Sequence, residues 1–352
     1  MEGSRLLRTL RLTNFLSYGP DAEEIELQPL NVLIGPNGSG KSNLIQAIGL
    51  LKAAPSNRSI AGAIQGSGGL PEWSYKYSGG SPSIDFEIET TLSYPHGALP
   101  LRYGFHVIRS GQGLEIDREI IENEGILGPD EADACFFYRH QEGKAVLNVR
   151  EQVDAPAGTS IGRIERQLKR GDLNLALSVL AQRKDPDTYP ELTYLSGILP
   201  EIQMFRSCNI GPGSLLLGPQ GANEPAGFLL ENGRNLGMVL NDLLSRLPVK
   251  RRILQELKQF YEYVEDISQK VGLNTIETLF HEGEGGYVTI PSSRLSDGTM
   301  RYLCLLAILC HPVPPPLVCI EDPEIALHPD ALPRLADLLV EASQNTQLVV
   351  TT

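Results

Sequence analysis

The sequence predicts an α/β fold. A glycine loop joins a strand to a helix, an antiparallel β-subdomain follows, and a compact helical insertion precedes a second strand of the same kind. Three observations carry this. Leu30 to Ala47 reads LNVLIGPNGSGKSNLIQA, with a short apolar run before the glycines and helical apolar spacing after them. Leu317 to Asp322 is an apolar run that ends in two carboxylates. Between these segments lie runs of period-two alternation with turn signals between them, the pattern of an antiparallel sheet.

The glycine loop is the centre of the chain. Gly35-Pro36-Asn37-Gly38-Ser39-Gly40-Lys41-Ser42 is a full match to G-x-x-x-x-G-K-[ST]. Asn31 to Ile34 reads as a buried strand, and Leu44, Ile45, Ile48 and Leu51 mark the apolar face of a helix. In such a unit the glycines let backbone N–H groups curl round phosphate oxygens, and the helix N-terminus adds partial positive charge. Lys41 is expected to reach the β- and γ-phosphates, and Ser42 to ligate Mg²⁺ through its hydroxyl. Asn43 completes the binding segment. A nucleotide with its Mg²⁺ is thus the expected ligand.

Composition sets the frame. The 352 residues suffice for two domains or for one large domain with an insertion, and the 41% hydrophobic content supports a real core. A net charge of −13 argues against a surface coated uniformly for nucleic acid, although a local basic patch remains compatible with it. Cys135, Cys208, Cys304, Cys310 and Cys319 form no C-x-x-C pair, so reduced thiols in a cytoplasmic protein are expected. The N-terminal MEGSRLLRTLRL has no apolar signal core, and the run Tyr302 to Cys310 is too short to cross a bilayer. No membrane association is expected from this chain itself.

In chain order, Leu6 to Phe15 alternates as a strand with Arg8 and Arg11 interleaved, and Glu23 to Leu27 reads as a second. Either arginine could meet phosphate; a solvated strand face is the plainer reading. Pro55 to Gly80 reads as a Gly- and Ser-rich surface loop; it holds Gln65, which resembles the glutamine that senses Mg²⁺ and γ-phosphate after the first helix of related ATPases. Strands follow at Ile84 to Thr90, Leu101 to Val107, Leu114 to Ile121 and Lys144 to Val149. His96, His106 and His140 lie in or beside them without metal-ligand spacing. Ile164 to Arg183 and Gly233 to Val271 have helical apolar spacing, the second interrupted at Pro248. Neither sustains a heptad, which excludes a long coiled-coil arm. The expected division is an N-terminal part at 1–160, a mainly helical insertion at 161–284 and a C-terminal part at 285–352.

The resemblance to a known family becomes specific at Leu295-Ser296-Asp297-Gly298-Thr299, which looks like the signature motif of ATP-binding-cassette ATPases. Leu317 to Asp322 resembles their Walker B strand, and Pro323 to Pro329 their D-loop. The start, LRLTNFLSYGPDAEEIELQPLNVLIGPNGSGKSNLIQAI, is similar to that of the RecF, SMC and OLD group. The resemblance implies a P-loop head of the ABC type that forms a homodimer. ATP would lie between the P-loop of one copy and the signature Ser296 and Gly298 of the other. It implies Glu321 as Mg²⁺ ligand, Asp322 as the group that activates water, and Lys41 as a further catalytic residue. It also implies work on DNA, in repair or in defence against phage, with a nuclease or other DNA-processing partner.

Three departures from the pattern stand out. Glu321 replaces the usual Asp, Asp322 replaces the usual catalytic Glu with Glu324 in reserve, and the chain stops at Thr352, before the family's switch histidine. His328 lies in the D-loop and does not replace it. Two further classes compete with the DNA-linked switch: an ATP-holding scaffold with little turnover, and a transporter's ATPase subunit.

Overall fold

The computed structural model describes the chain except for residues 1–2, 22, 58, 77–83, 112, 126–134, 156–157, 170 and 207–215. Strands β1 (Leu7–Thr13), β2 (Ile25–Glu26) and β3 (Leu30–Leu33) precede helix α1 (Lys41–Ala53). Helices α2 (Ser59–Gln65) and α3 (Leu70–Trp73) come next. Strands β4 (Asp85–Leu92), β5 (Leu101–Ser110), β6 (Gly113–Asn123), β7 (Phe136–Gln141), β8 (Lys144–Ala155) and β9 (Gly158–Leu168) follow. Then come α4 (Val179–Gln182), α5 (Pro190–Ile198), β10 (Gln203–Phe205) and β11 (Gln220–Gly221). The chain continues through α6 (Leu236–Ser245), α7 (Leu247–Phe260), β12 (Val264–Val271), β13 (Thr275–Glu282) and β14 (Val288–Pro291). It ends with α8 (Asp297–Leu309), β15 (Leu317–Glu321), α9 (Leu332–Ala342) and β16 (Gln347–Thr351).

These elements form two compact units. One comprises Met1–Ser4, Pro29–Ile34 and Gln203–Thr352; the other comprises Arg5–Gln28 and Gly35–Ile202.

The first unit is built on a parallel sheet in the order β10-β15-β16-β3. Its register places Glu321 opposite Thr351, and Thr351 opposite Leu33, so three strands end in one row. Val318, Ile320, Leu348 and Val350 of the strands share one apolar cluster with Met300, Leu303 and Leu306 of α8 and with Val239, Leu240 and Leu243 of α6. Each such fully buried chain contributes about 1.5–3 kcal/mol. Leu335, Leu338, Leu339 and Ala342 form the buried stripe of α9 at helical spacing. The carboxylate of Glu256 on α7 is fully buried; it accepts a two-pronged hydrogen bond from Arg334 of α9 and pairs with Arg252 at 3.0 Å. β11, β12 and β14 complete a smaller antiparallel sheet around β13.

The second unit is an antiparallel sheet in the order β2-β1-β4-β5-β6-β7-β8-β9. Alternation along the strands separates its faces. Leu10, Leu12, Phe86 and Ile88 are buried. The polar face is laced by ion pairs: Glu89 meets Arg102 at 2.8 Å and Arg11 at 3.6 Å, and Arg102 also reaches Glu122 at 3.5 Å. Phe15 packs its ring 5.1 Å from Phe86 and 5.8 Å from Trp73. α1 buries Leu44, Ile45, Ala47, Ile48, Leu50 and Leu51.

Several expectations need correction. The segment read as a loop from Pro55 contains α2 and α3, because Ile60, Ile64, Leu70 and Trp73 are buried despite the glycines around them. Ile164 to Leu168 is strand, not helix: β9 pairs with β8 along its whole length, and this pairing outweighs the helical spacing. Helix also gives way to β12 before Val271, where Gly272 turns the chain into β13. The interruption expected at Pro248 is present: α6 ends at Ser245, and Pro248 lies in the first turn of α7, where its missing N–H is harmless. The strand ahead of the glycine loop is the sheet's edge; Val32 is 47% exposed and Ile34, just past the strand, 80% exposed. The cysteine at 208 lies outside the described residues; Cys304 and Cys319 are buried.

Candidate functional site: a phosphate loop and a carboxylate row

In the antiparallel-sheet unit, the loop from Gly35 to Gly40 turns on left-handed backbone at Gly38 (φ 83°) and Gly40 (φ 95°). Gly40 is the N-cap of α1, and no side chain caps the helix among the described residues. A Cβ on Gly40 would lie 2.5 Å from Ser17 Oγ, and one on Gly35 would lie 2.9 Å from Ser39 Oγ, so both positions have no room for a side chain without displacing a neighbour. Lys41 Nζ donates to the carbonyls of Gly35 (2.6 Å) and Pro36 (3.2 Å). The ammonium therefore lies over its own loop, next to an uncapped helix start with no acidic residue in its first turn. Backbone dipole and ammonium together give this loop a positive field that suits an anion. Pro36, Asn37, Gly38, Ser39 and Ser42 are exposed along it.

Sequence reasoning missed the buttress of this loop. Asn43 Nδ2 donates to Ser17 Oγ at 2.8 Å, and the Tyr18 hydroxyl donates to Gly40 O at 3.4 Å. Burial pushes the Tyr18 phenol above its ordinary range, which keeps it a donor. The chain between Asn14 and Gly19 is the available signal: Asn14 (φ 55°) and Leu16 (φ 52°) bend it back.

In the parallel-sheet unit, Glu321 is the last residue of β15 and is half-buried. Burial raises its carboxyl pKa and the Asp322 charge adds to this, while Arg206 opposes both. Phe205 pairs with Ile320, so the next residue, Arg206, falls beside Glu321; that register was not legible from sequence. No described residue donates a hydrogen bond to the Glu321 carboxylate. A half-buried carboxylate at a strand end, free of hydrogen-bond donors among the described residues, fits a hard cation such as Mg²⁺, which takes one or two protein oxygens and completes its shell with phosphate and water. No group of three or more His, Cys, Asp or Glu among the described residues is arranged to hold a metal ion alone.

Asp322 has left-handed backbone (φ 46°), as does Ala326 (φ 65°). The Asp322 amide donates to Thr351 O at 2.9 Å, and its carbonyl accepts from Arg301 of α8 at 2.5 Å and from the Ile325 amide at 3.2 Å. Glu324 accepts from the Thr352 hydroxyl at 2.5 Å. His328 is exposed and accepts from the Asp330 amide at 3.3 Å. At the start of α8, Ser296 Oγ is the N-cap: it accepts from the Thr299 amide at 3.1 Å and pairs with Thr299 Oγ1 at 2.8 Å. Ser296 and Asp297 are exposed. Gly298 is buried, and a Cβ on it would lie 2.4 Å from Ala326 O.

The remaining candidates lie elsewhere. Gln65 is exposed at the end of α2, in the antiparallel-sheet unit. Arg8 donates to Ser93 Oγ at 3.1 Å, and Arg11 sits between Glu24 (3.8 Å) and Glu89. Both match the solvated-face reading. His106 bridges Asp117 (2.6 Å) and Asp85 (3.0 Å).

The edge strand β3 that leads into the glycine loop, the carboxylate pair at the end of β15 in the same parallel sheet, and the separate large antiparallel sheet are the fold elements of an ABC-type ATPase head, as in the RecF/SMC group. The same fold occurs in the crystal structure of an SMC head bound to the C-terminal winged-helix domain of ScpA: TM-score 0.51, 15% identity, covering 99% of this chain and 90% of that one. The chain belongs to the family described as "AAA domain, putative AbiEii toxin, Type IV TA system", which it matches over residues 30–126 and 154–352. It is also similar to two proteins named DNA replication and repair protein RecF. The one from Macrococcus caseolyticus is 36% identical over 95 residues, 27% of this chain and 22% of that protein. The one from Staphylococcus haemolyticus is 34% identical over 114 residues, 32% of this chain and 26% of that protein. The alignments thus span about a quarter of the length of these relatives.

Proposed function

We propose that this protein is an ATP-driven switch that controls a DNA-processing partner. The observation that carries the reading is the anion site at Gly35–Ser42, where Lys41 lies over an uncapped helix start. ATP would bind through the backbone of Gly35 to Gly40, Lys41, Ser42 and Asn43. Ser42 and Glu321 would hold Mg²⁺, which neutralises phosphate charge when bound. Asp322 would orient and deprotonate the attacking water. The exposed Ser296 would meet the triphosphate of a second copy, with Gly298 behind it shaping the corner, so that ATP closes a two-fold dimer and hydrolysis opens it. The DNA link is supported by the names of the RecF relatives, and a nuclease is the proposed partner. The family's description, which refers to a toxin system, supports a defence role.

The test combines a fluorescent ATP analogue, light scattering and turnover with and without DNA. ATP binding, ATP-dependent dimers and DNA-stimulated hydrolysis are expected. Monomers at saturating ATP and Mg²⁺ would defeat the clamp. A second reading, a scaffold that holds ATP with little turnover, is favoured by the short arm of Asp322. It predicts dimers that persist with ATP, and turnover unaffected by Asp322→Ala.

A further inference from the structure

Helix α8 touches both left-handed residues of the loop that follows β15. Asp322 and Ala326 are its non-glycine residues with positive φ, at 46° and 65°. Arg301 donates to the Asp322 carbonyl at 2.5 Å. Gly298, three residues earlier and so on the same helix face, presents its bare Cα to the Ala326 carbonyl, where a Cβ would come within 2.4 Å. The two contacts fall on the two strained residues and hold them from one side.

Arg301 is an unusual residue for its place. From Met300 to Leu309 the helix is buried and, apart from Arg301, carries apolar side chains, cysteine and tyrosine. Arg301 itself is 6% exposed, and its Nε has no hydrogen-bond partner among the described residues. An aliphatic side chain would pack there without the penalty of a buried, partly bonded cation. What the guanidinium provides instead is an N–H directed at one carbonyl. That carbonyl belongs to the residue whose side chain points toward chemistry under the proposed function.

We infer that Arg301 is a positioning residue: it fixes the Asp322 backbone in its left-handed turn, and so sets the direction of the carboxylate that activates water. Gly298 is the second hold, at Ala326. Together they connect the exposed Ser296–Asp297 corner to the acidic loop through a single helix. A ligand that shifts that corner would shift Asp322 as well. The inference rests on the reading of Asp322 as the water-activating group.

The test uses Arg301→Met, Arg301→Lys and Gly298→Ala in the full chain, with three readouts. These are amide hydrogen exchange, affinity for a fluorescent ATP analogue, and single-turnover hydrolysis. In Arg301→Met, exchange at the Ile325 and Leu327 amides rises by about tenfold while the amides of β15 and the second half of α8 keep their protection. ATP affinity stays within about twofold, and single-turnover hydrolysis falls by about tenfold or more. Arg301→Lys, which restores one donor, recovers part of both. If Arg301→Met does not fold, Gly298→Ala carries the test through loop exchange and single-turnover hydrolysis alone, because its Cβ pushes directly on Ala326; ATP affinity, in which Gly298 takes part under the proposed function, is compared only between wild type and the Arg301 variants. Unchanged loop exchange, or an unchanged hydrolysis rate with a loosened loop, overturns the inference alone. So does loss of protection spread evenly along α8, which marks a packing role. Wild-type protein that binds no ATP overturns the proposed function, and the inference falls with it.

Discussion

Two loops follow parallel strands of one sheet, and both pass through left-handed backbone, but by opposite means. After β3 the chain turns on Gly38 and Gly40, which adopt that conformation without steric cost. After β15 it turns on Asp322 and Ala326, each of which costs about 1–2 kcal/mol in the same region. The glycine loop can be written in eight consecutive residues. The acidic loop is held from outside by contacts with Thr351, Arg301 and Gly298. A loop that carries its own permission is legible in sequence; one that is held by its surroundings is not.

The largest expected effect falls on the glycine loop. Lys41→Ala should weaken ATP binding by about 1,000-fold, roughly 4 kcal/mol, as titrated with a fluorescent analogue. Retained affinity would show that the ammonium plays no part in phosphate recognition. Next comes a pH effect in the same unit. Glu119 is buried at 2% exposure, accepts from Tyr103 at 3.0 Å, from Ser178 and from the Val179 amide at 2.9 Å, and burial pushes its carboxyl up to about 7. Its folded-state pKa lies above the ordinary value. The stabilisation is therefore complete below about pH 4.5 and is lost as pH rises through 7, on the order of 3 kcal/mol in all. Glu119→Gln should remove most of that dependence, because its amide can donate to the two hydroxyls while its oxygen serves Val179. A Tm series from pH 5 to 8 reads this out; parallel slopes for variant and wild type would refute it.

The last two predictions are mirror images. Gly40→Ala forces a side chain onto φ 95° and against Ser17, and should cost about 2 kcal/mol in urea denaturation. Ala326→Gly relieves strain and should stabilise by about 0.5 kcal/mol, the entropy of glycine offsetting part of the gain. A destabilised Ala326→Gly would mean that the acidic loop is not strained, and the contrast between the two loops would dissolve.

Much of the fold was readable because its signals are local. Period-two alternation located β1, β4, β5, β6 and β8, and the apolar runs located α1 and β15. The errors share a cause. Residues 164–168 carry helical spacing, and only the pairing with Lys144–Ala155 makes them a strand. The site divides the same way. The candidates Lys41, Ser42, Glu321 and Asp322 stand out in the sequence because each sits in a contiguous motif. Ser17 meets Asn43 across 26 residues, and Arg301 meets Asp322 across 21, so no motif announces either. Arg206 reaches Glu321's side only through the β10–β15 register.

The Ser296 hydroxyl has one more property. It owns two lone pairs and one proton. A lone pair serves the Thr299 amide, and the short contact to Thr299 Oγ1 can use either oxygen as donor. An arriving anion could therefore accept a hydrogen bond from the serine hydroxyl while the threonine hydroxyl rotates to donate to the serine oxygen. Under the proposed function, recognition at this corner would need only the rotation of two O–H bonds, and the helix would keep its cap throughout.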